Sequence, residues 1–388
     1  MPWQGVSPMD LKLAFVRAYA AGQATMTELC DDFTISRKTG YKWVARYEAH
    51  GQAGLLDRSR RPHHTPSATE AYIVARLCEA RRQHPTWSAR KLIAVLRRLE
   101  PRIAWPTRST GCALLKAQGL VRAARRRTRT RGAAAPLAPI TRPNEVWTTD
   151  FKGEFRTGDG AYCYPLTLRD GFSRYVLRCD ALDTKHQAPV RRRFERAFAE
   201  YGLPDRIRSD NGGPFAAPGL TRLSHLSVWW IRLGIQPERI ARGHPEQNGS
   251  HEQFHRVLKA ETARPPAATG AAQQRRFRRF CTEYNQVRPH EALADCPPAS
   301  CYQPSPRALP SRLPPVEYPG HLEVRRVSAC GTISWLGRPV YLTEVLAGED
   351  LGLEEVDDAI WLVYFGSTRL ARFDARARML TAVPYATR

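Results

Sequence analysis

Between Val146 and Lys259 the chain alternates short β-favouring runs with helical ones, and three of these elements carry an acidic residue. VWTTDF is apolar and β-favouring and reaches Asp150. Ala161 to Asp170 and Tyr175 to Leu182 are two more strand-like runs. Turns at Gly158–Gly160 and Asp170–Gly171 join the three, which predicts an antiparallel meander. His186 to Tyr201 predicts a helix stopped by Gly202 and Pro204. DRIRSDNGGPF predicts a short strand ending at Asp210 before a Gly-Gly turn. Residues 221–234 read as a helix, Gly234 to Ile240 as a fifth strand, and a last helix runs from near Asn248 past Lys259. The stretch therefore predicts an α/β fold.

Asp150 and Asp210 close strand-like runs, where chemistry often sits in an α/β sheet. Glu252, His255 or Arg256, and Lys259 recur at three- and four-residue spacing and share one face of the last helix. That face can look across at the strand ends. Three carboxylates suit Mg²⁺ or Mn²⁺, hard ions that prefer oxygen, and two such ions about 3.5–4 Å apart can activate a nucleophile and stabilise a leaving oxygen. The expected catalytic and metal-binding set is thus Asp150, Asp210 and Glu252, with two Mg²⁺ (or Mn²⁺) per site. Glu246, before the NG pair, is the rival third ligand. Taken singly, each acid is equally an ordinary surface carboxylate or helix cap, and Asp170, Asp180 and Asp183 read as turn or edge residues. Asn211 and Gly212 are expected to shape the turn behind Asp210. Asn248 and Gly249 either cap the helix or let a DNA backbone come close. Lys259 is a phosphate contact or a plain surface lysine.

VWTTDF, SDNGGPF and HPEQNGSHEQFHRVLK together resemble the integrase and transposase catalytic core, an RNase H-like fold with a D,D,E triad. The resemblance is closest to bacterial insertion-sequence transposases of the IS481 kind and covers roughly residues 9–295, more loosely beyond. It implies a sheet with an antiparallel start and parallel additions, helices on both faces, and Asp150 as the bridging carboxylate. One departure is the 41 residues between Asp210 and Glu252, a longer spacing than many relatives show. An insertion around Pro214 to Leu226 would absorb it. Tyr284, Asn285, Arg288 and His290 match a Tyr-Asn…Arg-Pro-His stretch of the family. They read as structural, with Arg288 a phosphate contact and His290 a general base as open alternatives.

The chain has 388 residues and a formal charge of +23, which points to a polyanionic partner. Residues 1–140 hold 25 Lys and Arg against 9 Asp and Glu. Residues 9–53 carry the rhythm of a helix-turn-helix module, its core built on Leu29, Phe33, Ile35, Trp43 and Val44. Arg37, Lys38, Thr39, Tyr41 and Lys42 are expected at the DNA groove or flanking phosphates. Residues 54–67 form a basic linker in which Arg58, Arg60 and Arg61 reach along DNA or simply stay solvated. A second helix-turn-helix-like module spans 68–125. An Arg-rich linker, 126–140, continues a run with Arg125, Arg126 and Arg127 that reads as a phosphate-binding arm. The core takes 141–295. A Pro-rich segment, 296–319, is an extended linker or peripheral wrap. Short strand-like runs over 320–375 suggest a small β-barrel-like domain.

The expected fold class is accordingly an RNase H-like α/β core preceded by all-helical modules and followed by a small β-rich domain. No apolar run approaches the about 18 residues of a membrane span, and no signal-peptide pattern opens the sequence. Nine scattered cysteines with no CxxC pair fit a reducing cytosol, and the resemblance implies a bacterial cytoplasmic, nucleoid-associated protein. The resemblance implies a DNA transposase acting on double-stranded DNA, both element terminal inverted repeats and target. It also implies a homo-oligomer, at least a dimer on DNA. A nuclease without strand transfer and a non-catalytic DNA-binding regulator are the alternatives.

Overall fold

The computed structural model describes residues 7–58, 68–121, 139–241 and 244–383. The chain divides into two compact units, Met1–Ala68 and Thr69–Arg388.

The first unit holds three helices, α1 (Pro8–Ala20), α2 (Met26–Asp32) and α3 (Arg37–His50), and a 3-10 turn, Gly51–Leu55. Thr25 starts α2 in a capping box with Glu28, and Ser36 caps α3 through the Thr39 amide. Phe15, Val16, Met26, Leu29, Cys30, Trp43, Val44 and Leu55 form the core, with Phe33 and Ile35 at its margin. Gly40 sits where α3 crosses this core. A Cβ there would come within 2.8 Å of Cys30 Sγ and Met26 Sδ, so only glycine lets the helices approach this closely.

The second unit begins with α4 (Ala71–Gln83), α5 (Ala89–Leu99) and α6 (Arg108–Ala117), packed around Leu77, Trp87, Leu92, Ile93, Leu96 and Leu115. A six-stranded sheet follows. Its strands are β1 (Val146–Phe151), β2 (Phe155–Arg156), β3 (Tyr162–Asp170), β4 (Val176–Leu182), β5 (Arg206–Ser209) and β6 (Gln236–Arg239). β1 lies antiparallel to β3 and parallel to β5; β4 extends the meander, and β6 runs parallel beyond β5. β2 is a two-residue strand absent from the sequence reading: it pairs with the start of β3 through only Phe155 and Arg156. Between the strands come α7 (Gln187–Tyr201) and α8 (His225–Arg232), and after them α9 (Gly249–Thr262) and α10 (Gly270–Gln286).

Strand alternation sorts side chains onto two faces. Trp147, Leu166, Leu168 and Ile207 join Phe194 and Phe198 of α7 and Trp229 and Trp230 of α8 on one side. Cys163, Val176 and Cys179 meet Phe254 and Leu258 of α9 and Phe277, Phe280 and Tyr284 of α10 on the other. Fully burying one such side chain contributes about 1.5–3 kcal/mol, so these rows anchor α9 against the sheet.

The Pro-rich segment is a wrap. Tyr302 stacks on Tyr175 at 4.4 Å and donates to Asn144 Oδ1, and Arg307 donates to the Pro204, Leu233 and Gly234 carbonyls. The chain then forms β7 (Glu323–Arg326), β8 (Thr332–Trp335), β9 (Arg338–Tyr341), β10 (Asp350–Asp357), β11 (Ile360–Phe365), β12 (Thr368–Asp374) and β13 (Met379–Ala382). The expected barrel is instead an open five-stranded sheet, β13-β12-β11-β10-β7, with β8 and β9 as a separate hairpin. Among the described residues no ladder joins the edges β13 and β7. The sheet buries one face, and that face continues into the core: Leu223, Val228 and Ile231, on and beside α8, pack with Val327, Leu351, Leu353, Val363 and Phe365. No helix among the described residues is long and apolar enough to cross a membrane.

Candidate active site

β1 is the inner strand on which the site is built. Its register with β5 pairs Val146 with Arg206 and Thr148 with Arg208. Carried two residues further, that register sets Asp150 level with Asp210, just past the end of β5. Gly212 N donates to Asp210 Oδ1 at 3.2 Å, and Asn211 Nδ2 donates to the Ile240 carbonyl at 2.9 Å, tying the turn to the end of β6. A Cβ on Gly212 would stand 3.0 Å from Asp210 Oδ2, so the turn closes tightly round the carboxylate.

The third acid comes from α9. Glu252 lies in its first turn and is exposed. Asp150, Glu252 and Lys259 line one open cleft of about 880 Å³, together with Lys152, Arg256 and Arg264. Thr86, from the loop between α4 and α5, reaches the same rim and donates to Glu261. Asn248 occupies the N-cap position of α9 but makes no side-chain cap hydrogen bond, contrary to expectation. A 3-10 turn, Pro245–Asn248, runs straight into the helix, so Asn248 lies within a continuous helical run. A Cβ on Gly249 would meet open space. The side chain of Glu246, in that turn, lies outside the described residues.

Electrostatics couple the three acids. Burial, then the charge of Asp210 and last that of Glu252, push Asp150 up to about 7 against the Phe151 amide hydrogen bond and the charge of Lys152. Burial and the charge of Lys259 hold Lys152 below its ordinary value. Among the described residues, no three His, Cys, Asp or Glu side chains stand close enough to form a ready metal cage. The donor chemistry nevertheless suits a hard divalent cation. All three groups offer oxygen, and the group pressed hardest towards neutrality is the one a nearby cation would relieve.

Behind Asp150 lies a buried hydrogen-bonded chain that sequence reasoning missed. Thr167, opposite Asp150 in the ladder, donates to the Asp150 carbonyl at 2.9 Å. Its oxygen also lies 2.7 Å from Nε2 of both His251 and His255. A hydroxyl has one proton, so both imidazoles carry theirs on Nε2 and donate to Thr167. His251 Nδ1 then accepts from the Thr148 hydroxyl at 2.8 Å. His255 Nδ1 faces Asp150 Oδ2 at 3.5 Å. This contact is not an ion pair, because burial with the charges of Lys152 and Arg169 lowers His255 to about 3. The available signal was positional: Thr148 and Asp150 alternate on one strand face, and His251 and His255 stand four apart on a helix.

The remaining expected DNA contacts are placed unevenly. Arg37, Lys38, Tyr41 and Lys42 are exposed along α3, whereas Thr39 is half-buried with its hydroxyl 2.9 Å from that of Ser36. Arg58 is exposed just past the first unit's last turn. Arg60, Arg61, Arg125, Arg126 and Arg127 lie outside the described residues.

Known families match the chain in segments. A helix-turn-helix domain matches residues 11–63, a homeodomain-like domain 39–111, and two integrase core domain models 140–245 and 233–298. The IS481 family transposase C-terminal domain matches 322–381. Among curated relatives, an uncharacterized 39.2 kDa protein of insertion element IS476 from Xanthomonas euvesicatoria is 28% identical over 46% of this chain and 50% of its own. An uncharacterized 31.7 kDa protein of IS407 from Burkholderia multivorans is 28% identical over 39% and 52%. The Gag-Pol polyprotein of avian reticuloendotheliosis virus is 32% identical over 37% and 11%. The chain thus spans about half the length of the insertion-element relatives and a small part of the polyprotein. Among solved structures, the simian T-cell lymphotropic virus intasome chain is 14% identical over 75% of this chain and 98% of its own, with a TM-score of 0.37. The HTLV-2 integrase catalytic core domain in complex with magnesium is 15% identical over 42% and 98%, with a TM-score of 0.31. Overlaps this loose add nothing to the domain matches.

Proposed function

For a chain that carries helix-turn-helix domains, an RNase H-like integrase core and an IS481 family transposase C-terminal domain, we propose the function of a DNA transposase. The helical modules hold the terminal repeats of an element. The core hydrolyses the 3′ strand at each end, and the freed 3′-hydroxyl then attacks a phosphodiester of target DNA. The observation that carries this reading is the cleft itself. Asp150, at the end of β1, shares it with Glu252 of α9 and with Lys152, Arg256, Lys259 and Arg264, and the register of β1 with β5 sets Asp210 level with Asp150.

Asp150, Asp210 and Glu252 would hold divalent metal, Mg²⁺ or Mn²⁺, two ions per site. When bound, such ions lower the pKa of the attacking hydroxyl or water and stabilise the leaving 3′ oxygen. Thr167 and the neutral His255 fix the β1 end that presents Asp150. Lys152, Arg256 and Lys259 bind the phosphates flanking the scissile bond, and Asn211 and Gly212 set the angle of Asp210. Both steps are in-line phosphoryl transfers, so no covalent bond to the protein is needed. Joining two ends to one target requires at least two copies of the chain on DNA.

The test uses duplexes copied from the DNA that flanks the coding region, with Mg²⁺ or Mn²⁺. Asp150→Asn, Asp210→Asn and Glu252→Gln are each expected to abolish 3′ cleavage while end binding stays within about threefold, less than 1 kcal/mol. Cleavage without joining by the wild type would make the protein a nuclease. Binding without either step would make it a regulator. Robust cleavage by Glu252→Gln, with Glu246→Gln inactive, would move the third ligand to Glu246.

A further inference from the structure

On the side of α9 away from the carboxylate cleft lies a second cavity, of about 390 Å³. It opens where the second helical module meets the core. Lys91 of α5, Arg169 of β3, Arg174 of the following turn, and Arg288 and His290 after α10 line it over Phe254 and Tyr284. Glu291 is the one carboxylate in the lining, and it is engaged by Arg90 at 2.5 Å. The rim is sealed by contacts between module and core: Arg90 with Asp295 at 2.9 Å, His84 with Glu283 at 3.0 Å, and Arg98 donating to the Val287 carbonyl at 2.7 Å.

The cations of this cavity outnumber the carboxylates paired with them. Arg288 has Glu261 at 2.8 Å. Among the described residues, no carboxylate lies within ion-pair distance of Lys91, Arg169 or Arg174. Arg169 is only 2% exposed, yet its guanidinium has only the Ser250 carbonyl and hydroxyl as hydrogen-bond partners and the Phe254 ring face at 4.8 Å, and its Nε donates to nothing. Arg174 also donates to the Ser250 hydroxyl, at 2.5 Å, from a backbone with φ of +65°. His290 Nε2 is buried without a partner. A buried guanidinium with an idle N–H and no counter-ion is among the costlier arrangements a fold can hold. The field inside is felt by its neighbours. Burial, then the charges of Lys91, Arg169, Arg288 and Arg174, lowers His290 to about 3, and burial with the charge of Arg288 lowers Lys91 to about 8 against the weaker pull of Glu261, Asp295 and Glu291.

We infer that this cavity binds a phosphate-type oxyanion, taken either from the backbone of a nucleic acid or free in solution. The lining supplies what such an anion needs: converging N–H donors, excess positive charge and shelter from water. Its volume admits a tetrahedral oxyanion with bridging water. Because α5 contributes Lys91 and the core contributes the arginines, the bound anion fastens the helical module to the sheet. The site is independent of the carboxylate cleft and of the transposition reading.

The first test uses the full-length chain and inorganic phosphate, with no DNA or metal. Melting temperatures are compared in phosphate and in chloride at equal ionic strength and pH. Saturating phosphate is expected to raise the wild-type midpoint by about 5 °C and to leave Lys91→Gln/Arg174→Asn unmoved. In chloride alone the double variant is expected to melt no lower than wild type, since it loses unpaired cations. Calorimetric titration of wild type with phosphate should show one saturable site, whatever the variant's stability. Absence of that site, or an equal rise in both proteins, overturns the assignment. A second arm names the source. A duplex that competes with phosphate, and whose log–log salt slope falls by about 1 in the variant, assigns the site to a backbone phosphate. An unchanged slope without competition assigns it to free phosphate.

Discussion

Asp150 is the most strained charge in the cleft, and its titration gives a direct handle on the site. In the unfolded chain it titrates near 3.8, and in the fold near 7. The folded protein therefore holds a proton there that the unfolded chain has released. That contribution to stability is complete below about 3.8 and is lost as pH rises through about 7. Without metal, wild type is expected to lose up to about 4 kcal/mol relative to Asp150→Asn over this interval. Urea melts at pH 5 and pH 8 in chelator read the difference, and equal losses in the two proteins would refute it. Gly40 gives a second residue-scale outcome. Gly40→Ala drives a methyl into Cys30, Met26 and Phe15, and should destabilise the first unit by about 1–3 kcal/mol, read as an earlier first melting transition. An unchanged transition would show that α1 and α2 can yield. The Asp210 turn was legible because a Gly-Gly pair after an acid has few other meanings. The idle Nε of Arg169 was not, since an arginine at a strand end reads as surface.

At the scale of elements, α9 combines a readable face with a hidden one. Its three- and four-residue spacing placed Glu252 and Lys259 together in advance, and the cleft contains both. The histidines were opaque because their partners, Thr148 and Thr167, belong to two strands whose register only the folded sheet sets. Likewise the C-terminal part was legible as short strand-like runs, but β10 and β13 were not among them, and closure into a barrel depends on edge pairing, which no local pattern encodes. Burial makes His251 and His255 acid-sensitive struts. Their folded pKa values lie below the ordinary 6.5, to about 3 for His255 and well below the ordinary value for His251. Stability from them is complete above about 6.5 and drains as pH falls below it, for His255 down to about 3. The His255 contribution is expected to fall by about 1.4 kcal/mol per pH unit in that window, and both histidines are expected to take up a proton on unfolding. Potentiometric or dye-based proton counts during urea unfolding at pH 5 check this. Replacing both histidines by asparagine should remove about two protons from the count, and an unaltered count would contradict the neutral assignment.

Across the whole molecule, charge and packing divide the labour. The excess of Lys and Arg is concentrated before residue 140, while the C-terminal sheet is joined to the core by apolar side chains and by Arg232 paired with Glu349 at 3.2 Å. Deleting residues 320–388 would uncover Leu223, Val228 and Ile231 together. The shortened chain is expected to aggregate, or to melt well below the full-length protein, by light scattering and calorimetry. A soluble chain of unchanged stability would mean the sheet is a loosely tethered appendage. The shared packing around α8 also limits how such chains can be shuffled. A hybrid joined to a distant relative within the Pro-rich wrap would inherit a sheet whose apolar neighbours on α8 came from the other parent. Workable crossovers should therefore fall ahead of Leu220, so that helix and sheet are inherited as a single cassette.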